Sequence, residues 1–132
     1  MNFDTLAQQF TQFYYSVFSV RQQRVTLINN YMPQCNAVYN GRLYKDHAGL
    51  NQLFSARFAL GDLQINPTSI CACPAGDAVM INVLGNLVEQ TGLRAIFSQS
   101  FLLVGDGAGN FSIMSDIFAI EMLPEVQQQQ MQ

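Results

Sequence analysis

The chain predicts an α+β domain, and two observations carry that class. The first third spaces its apolar residues as helices do, while the second half falls into four long alternating segments. Turn-formers, "CPAGD", "QTG" and "GDGAGN", separate those segments. Helices followed by a long-stranded meander imply helices packed on one face of a curved, mostly antiparallel sheet.

Residues 4 to 18, "DTLAQQFTQFYYSVF", place Leu6, Phe10, Phe13, Tyr14 and Val17 on one stripe behind an Asp4 N-cap. A second helix is expected over about 21 to 31, with Val25, Ile28 and Tyr31 inward and Pro33 ending it. "NAVYNGRLY" alternates and turns at Asn40-Gly41, a strong hairpin signal. Asp46 stands where an N-cap belongs, ahead of a short third helix carrying Leu50, Leu53 and Phe54. The strands follow as "LQINPTSICA", "AVMINVLGNLVE", "RAIFSQSFLLV" and "NFSIMSDIFAIEML". The domain should span 1–124, with the Gln-rich tail 125–132 disordered.

Composition narrows the function. The chain has 132 residues, enough for one core, and only 11% are charged against about a quarter in ordinary domains. Such a deficit implies a neutral surface covered by another chain. The six basic residues are spread singly, so the positive stripe a nucleic acid needs is missing. No apolar run approaches the ~20 residues of a membrane span, and the N-terminus has no signal-peptide pattern. Cys35, Cys71 and Cys73 read as three buried thiols rather than a zinc site, and no cofactor is implied.

Alternation sorts the strands into two faces. Val79, Ile81, Val83, Phe97, Phe101, Leu103, Phe118 and Ile120 are bulky and should meet the helices. Met80, Asn82, Leu84, Ser98, Ser100, Leu102, Ser115, Ile117 and Ala119 form the other set, which carries no charge. A solvent-facing sheet ordinarily displays Lys, Glu and Arg there, so a partner sheet is expected. Lys45, Asp46 and the lone His47 cluster in sequence, yet the segment holds no second acid or base for catalysis. The bland reading is a solvated strand end, a cap and an exposed first helical turn.

"FDTLAQQFTQFYYSVF", the "YNG" turn before a short helix, "FSQSFLLV" and the closing "SDIF" resemble, in order and spacing, the nuclear transport factor 2 family. The resemblance covers about residues 3 to 123. It implies a cone-shaped α+β fold with about three N-terminal helices, whose open sheet face forms a dimer. It also implies one of three roles. One is the small subunit of an mRNA-export receptor heterodimer, paired with a larger subunit that carries a related domain. The second is a homodimeric import carrier for Ran-GDP that also binds Phe-Gly nucleoporins. The third is a cavity enzyme, an isomerase or dehydratase, for which Tyr14, Tyr15, Asp116 and His47 are the inward acid–base candidates. The first two shuttle between nucleus, pore and cytoplasm.

Position by position, the carrier's acidic contacts for Ran correspond to the Tyr39-Asn40-Gly41 turn and to Gln90 and Gly92, none of them acidic here. That departure favours the export subunit. The arginine both branches place after the closing Phe118 is Ala119, so the ion pair it would make is lost. Phe10, Phe97, Phe101 and Phe118 should fill the enzyme's cavity with hydrocarbon, which favours a non-enzymatic protein. Phe3, just before the first helix, is either a contact for a repeat phenylalanine or a hydrophobic staple.

Overall fold

The computed structural model describes residues 2–123 and bears out the α+β class. Helix α1 spans Phe3–Phe18; strands β1 Tyr31–Tyr39 and β2 Arg42–Lys45 form the hairpin; α2 spans Asp46–Gln52. Strands β3 Leu63–Ala75, β4 Ala78–Glu89, β5 Arg94–Gly105 and β6 Phe111–Met122 make the meander. The six strands pair in the order β2-β1-β6-β5-β4-β3, antiparallel except for the parallel β1–β6 pair. The expected Gln-rich tail lies outside the described residues.

Several local expectations are corrected. Helix α1 starts a residue earlier than predicted, because Asn2 Oδ1 accepts the Thr5 N–H at 3.0 Å. Asp4 is therefore a first-turn acid favoured by the helix dipole rather than the cap. Phe13, expected inward, is 45% exposed, and the buried positions are Ala7, Thr11, Tyr14, Tyr15 and Phe18.

The second helix is a 3₁₀ helix, Arg21–Asn30. Its period of three turns Arg24 and Leu27 inward and leaves Val25 exposed. It ends before Tyr31, which is already strand, so Pro33 sits inside β1 rather than terminating a helix. Arg24 is fully buried: its guanidinium donates to the carbonyls of Phe18, Leu60 and Gly61 at 2.5–2.6 Å and lies over the Phe18 and Phe58 rings. Burial lowers its pKa to about 10, still charged at neutral pH.

The hairpin turn is as predicted, with positive φ at both Asn40 and Gly41, the type I′ signature. Asp46 does not cap α2: Lys45 takes that position without a side-chain bond, and Asp46 itself sits at φ 63°. A π turn, Leu53–Arg57, continues α2 and closes with the Phe58 N–H on the Leu53 carbonyl at 2.8 Å. Only Cys35 of the three thiols is buried; Cys71 and Cys73 are exposed on the edge strand β3.

The aromatic core fills the space between the helices and the sheet, and one glycine makes room for it. A Cβ on Gly85 would lie 2.9 Å from both Phe97 Cε1 and Pro67 Cα, where β3 bulges between Pro67 and Ser69. Gly85→Ala should lower unfolding free energy by about 1–3 kcal/mol, read from urea denaturation, since backbone and ring must both shift.

Candidate functional site

The register turns the nine predicted face residues into a lattice. Met80–Leu102–Ser115, Asn82–Ser100–Ile117 and Leu84–Ser98–Ala119 are three consecutive cross-strand rows on β4, β5 and β6. The central row continues outward through Cys71 on β3 and through Val38 and Leu43 on β1 and β2. Ile117 and Leu84 are 56% and 55% exposed, and Met80 42%. Ser100 donates to Asn82 Oδ1 at 2.7 Å, so two of the polar groups on this face partner each other.

Ile96 and Met114 extend the exposed apolar area and escaped the sequence reading. Ile96 belongs to the same alternation and was legible, whereas Met114 is turned outward by an irregularity opposite Leu102 and Leu103. Among the described residues of the sheet, charge on this side stands at the rim, in Lys45 paired with Asn36, Arg94 paired with Val88 and Glu121 paired with Ile96.

The turn residues occupy two separate places. Asn40 is exposed but tied to β6: its backbone N–H donates to the Phe118 carbonyl, and its Oδ1 accepts the Ile120 N–H, both at 2.9 Å. Tyr39 before it is buried, while Gly41 is exposed. Gln90 and Gly92 lie exposed at the β4–β5 turn, the Gln90 N–H on the Asp62 carbonyl at 3.0 Å and Gly92 at φ 97°. The acid beside them, Glu89, is turned inward. The Thr91 hydroxyl and Gly61 N–H donate to it at 2.6 Å, and these bonds hold its carboxyl below the ordinary range. Phe3 is the first residue of α1, packed half-buried against the core, so it does not hold the staple position.

Of the four acid–base candidates, the fold joins three and separates the fourth. Asp116 is buried, with the Tyr31 and Tyr39 hydroxyls 2.6 and 2.8 Å from Oδ2 and Gln99 donating to Oδ1 at 2.7 Å. Tyr14 lies 2.7 Å from the Tyr31 hydroxyl and 3.0 Å from that of Tyr39; Tyr15 donates to Gln99 Oε1 at 2.9 Å. Burial pushes Tyr14, Tyr15, Tyr31 and Tyr39 well above ordinary phenols, and raises Asp116 to about 6 against the opposing pull of its hydrogen bonds. His47 stands apart, part-buried rather than exposed, its Nε2 2.9 Å from the Tyr31 carbonyl.

Gln99, Tyr31 and Tyr39 were not anticipated in this cluster. Gln99 could have been, since alternation puts it between inward Phe97 and Phe101. Around the cluster, Phe101 packs edge-on against Phe10 and Tyr14, both at 4.8 Å, and Phe118 stacks on Tyr39 at 5.0 Å. The expected aromatic filling is present.

The nuclear transport factor 2 domain model matches residues 6–120, and the chain belongs to that family. It is 34% identical to a curated relative named nuclear transport factor 2 from Saccharomyces cerevisiae, with 91% of this chain and 95% of the relative covered. The solved nuclear transport factor 2 of Cryptosporidium parvum superposes at TM-score 0.81, with 27% identity, 90% of this chain and 94% of that one. The C. albicans Mtr2-Mex67 M domain complex shares the fold at TM-score 0.72 and 12% identity, with 94% of this chain and 97% of that one covered. The relatives named nuclear transport factor support a transport-factor role, although the fold itself also occurs in some enzymes.

Tyr39→Phe removes one donor to Asp116 and the acceptor of a Gln99 N–H at 3.3 Å. It should destabilise the fold by about 1–3 kcal/mol in urea denaturation while leaving the exposed face unchanged.

Proposed function

We propose that the chain is a non-enzymatic nucleocytoplasmic transport factor whose working form is a sheet-to-sheet dimer, shuttling between nucleus, pore and cytoplasm. The observation that carries this is the uncharged lattice on β4, β5 and β6, flanked by Ile96 and Met114. Its rows alternate apolar side chains with Ser and Asn, a composition suited to the core of an interface rather than to water. A stable interface of about 1,600 Å² is of the size such a face can supply. An interior packed with rings, in which Asp116 is enclosed by phenols, favours a structural core over a catalytic cavity.

Two pairings divide the reading. The full-length identity to relatives named nuclear transport factor 2 favours a self-paired import carrier. The non-acidic Asn40, Gln90 and Gly92 favour instead the small subunit of an mRNA-export heterodimer, because a Ran-binding carrier needs carboxylates there. The Asn40 amide is already engaged with β6, which leaves its turn little to offer a basic partner. In either pairing, half-buried Phe3 is the proposed contact for Phe-Gly nucleoporin repeats.

Light scattering on the chain alone separates the pairings: a homodimer supports the carrier, whereas recovery only with a co-expressed larger subunit supports the export role. Leu84→Lys with Ile117→Lys should weaken either dimer on the order of 10²-fold or more, because two charges would be buried unpaired. Circular dichroism of the doubly substituted monomer should remain that of a folded chain, since both sites are exposed within one protomer.

A further inference from the structure

The interior cluster has a hydrogen count that its heavy-atom geometry reveals. Four oxygens form a closed circuit: Asp116 Oδ2 to Tyr31, 2.6 Å; Tyr31 to Tyr14, 2.7 Å; Tyr14 to Tyr39, 3.0 Å; and Tyr39 back to Oδ2, 2.8 Å. Each of the four contacts needs one hydrogen, and the three phenols supply three. Neighbouring groups cannot supply the fourth. The Gln99 amide hydrogens go to Asp116 Oδ1 and to the Tyr39 oxygen, and the Tyr15 hydroxyl goes to Gln99 Oε1.

An ionised Asp116 would leave one pair of phenol oxygens facing each other without a hydrogen, buried where no water can intervene. A neutral carboxylic acid completes the circuit, every oxygen donating once and accepting once within it, while the Tyr39 oxygen also accepts the Gln99 N–H. We infer that the core of this domain is a proton-binding site, in which Asp116 holds a proton that closes a ring through Tyr31, Tyr14 and Tyr39 and staples α1 to β1 and β6.

The surroundings agree. Facing groups are Tyr14 and Tyr15 from α1, Tyr31, Tyr39 and Cys35 from β1, and Gln99 from β5. None is a cation that would hold Asp116 ionised. On the helical side, the Arg24 guanidinium is spent on three backbone carbonyls and His47 on the Tyr31 carbonyl. Release of the proton to bulk water breaks the Asp116 O–H bond and leaves a buried carboxylate, so the ring opens at one phenol–phenol contact.

The direction with pH follows. Asp116 is raised from 3.8 to about 6, so the native state binds the proton more tightly than the unfolded chain. The stability it contributes is full below about pH 4 and is lost as pH rises through about 6. Over that window the folding equilibrium constant of the wild-type chain should fall on the order of 10²-fold relative to Asp116→Asn, whose side chain cannot titrate. Using the variant as reference cancels contributions from groups elsewhere in the chain.

The direct test is the carboxyl ¹³C resonance of Asp116 in the full-length wild-type protein, assigned by through-bond correlation and followed with pH. At about pH 5, Asp116 should show the protonated shift while exposed Asp106, held low by the Ala108 and Asn110 N–H groups, shows the ionised one. An Asp116 resonance already ionised at that pH alongside Asp106 would overturn the inference. So would a wild-type urea midpoint that tracks the Asp116→Asn midpoint across the window.

Discussion

The structure depends on one constraint, the two-residue period of three long strands, which forces every side chain of β4, β5 and β6 to one of two sides. On the inner side, Phe97, Phe101 and Phe118 meet α1 and build an aromatic core. On the outer side, the same alternation lines up Leu84, Ser98 and Ala119, or Asn82, Ser100 and Ile117, with no element of the described chain over them. A one-residue slip would exchange the two sets and destroy both. The neutrality of the outer set is therefore a property of sequence that core packing does not require.

The inner side is not uniformly apolar. Asp116 and Gln99 occupy inward positions of β6 and β5 where hydrocarbon would pack more simply. Their cost is offset because three tyrosines bring hydroxyls to them from α1 and β1, each with its ring in the aromatic core. The network joins elements far apart in sequence, Tyr31 to Asp116 among them, so it forms only when α1 has docked on the assembled sheet. Arg24 does the same on the helical side, drawing the 3₁₀ segment and the 60–61 loop onto Phe18.

Much of this was legible before any coordinates. Strand boundaries came within a few residues because turn-formers bracket each strand, and the Asn40-Gly41 turn because few residues tolerate positive φ twice in succession. The nine face residues followed from alternation alone. What was misread depends on context. A 3.6 period turns Val25 inward beside Ile28, whereas tertiary packing imposes a period of three that buries Arg24 and Leu27, keeps Ile28 partly buried against the core and exposes Val25. Asp46 looks like a cap by residue type but adopts a left-handed conformation at the strand–helix junction. Cys71 and Cys73 fall outward because the register sets them opposite Asn82 and Met80 of the outer face, which composition alone does not disclose.

The account stands on the outer face being covered by a second polypeptide. Met80 and Met114, 42% exposed in the single chain, report on it directly through their rates of oxidation by peroxide. Slow oxidation of both at working concentration, rising when the protein is diluted or its companion withdrawn, is the predicted result. Fast oxidation at every concentration, with and without a companion, would contradict the account.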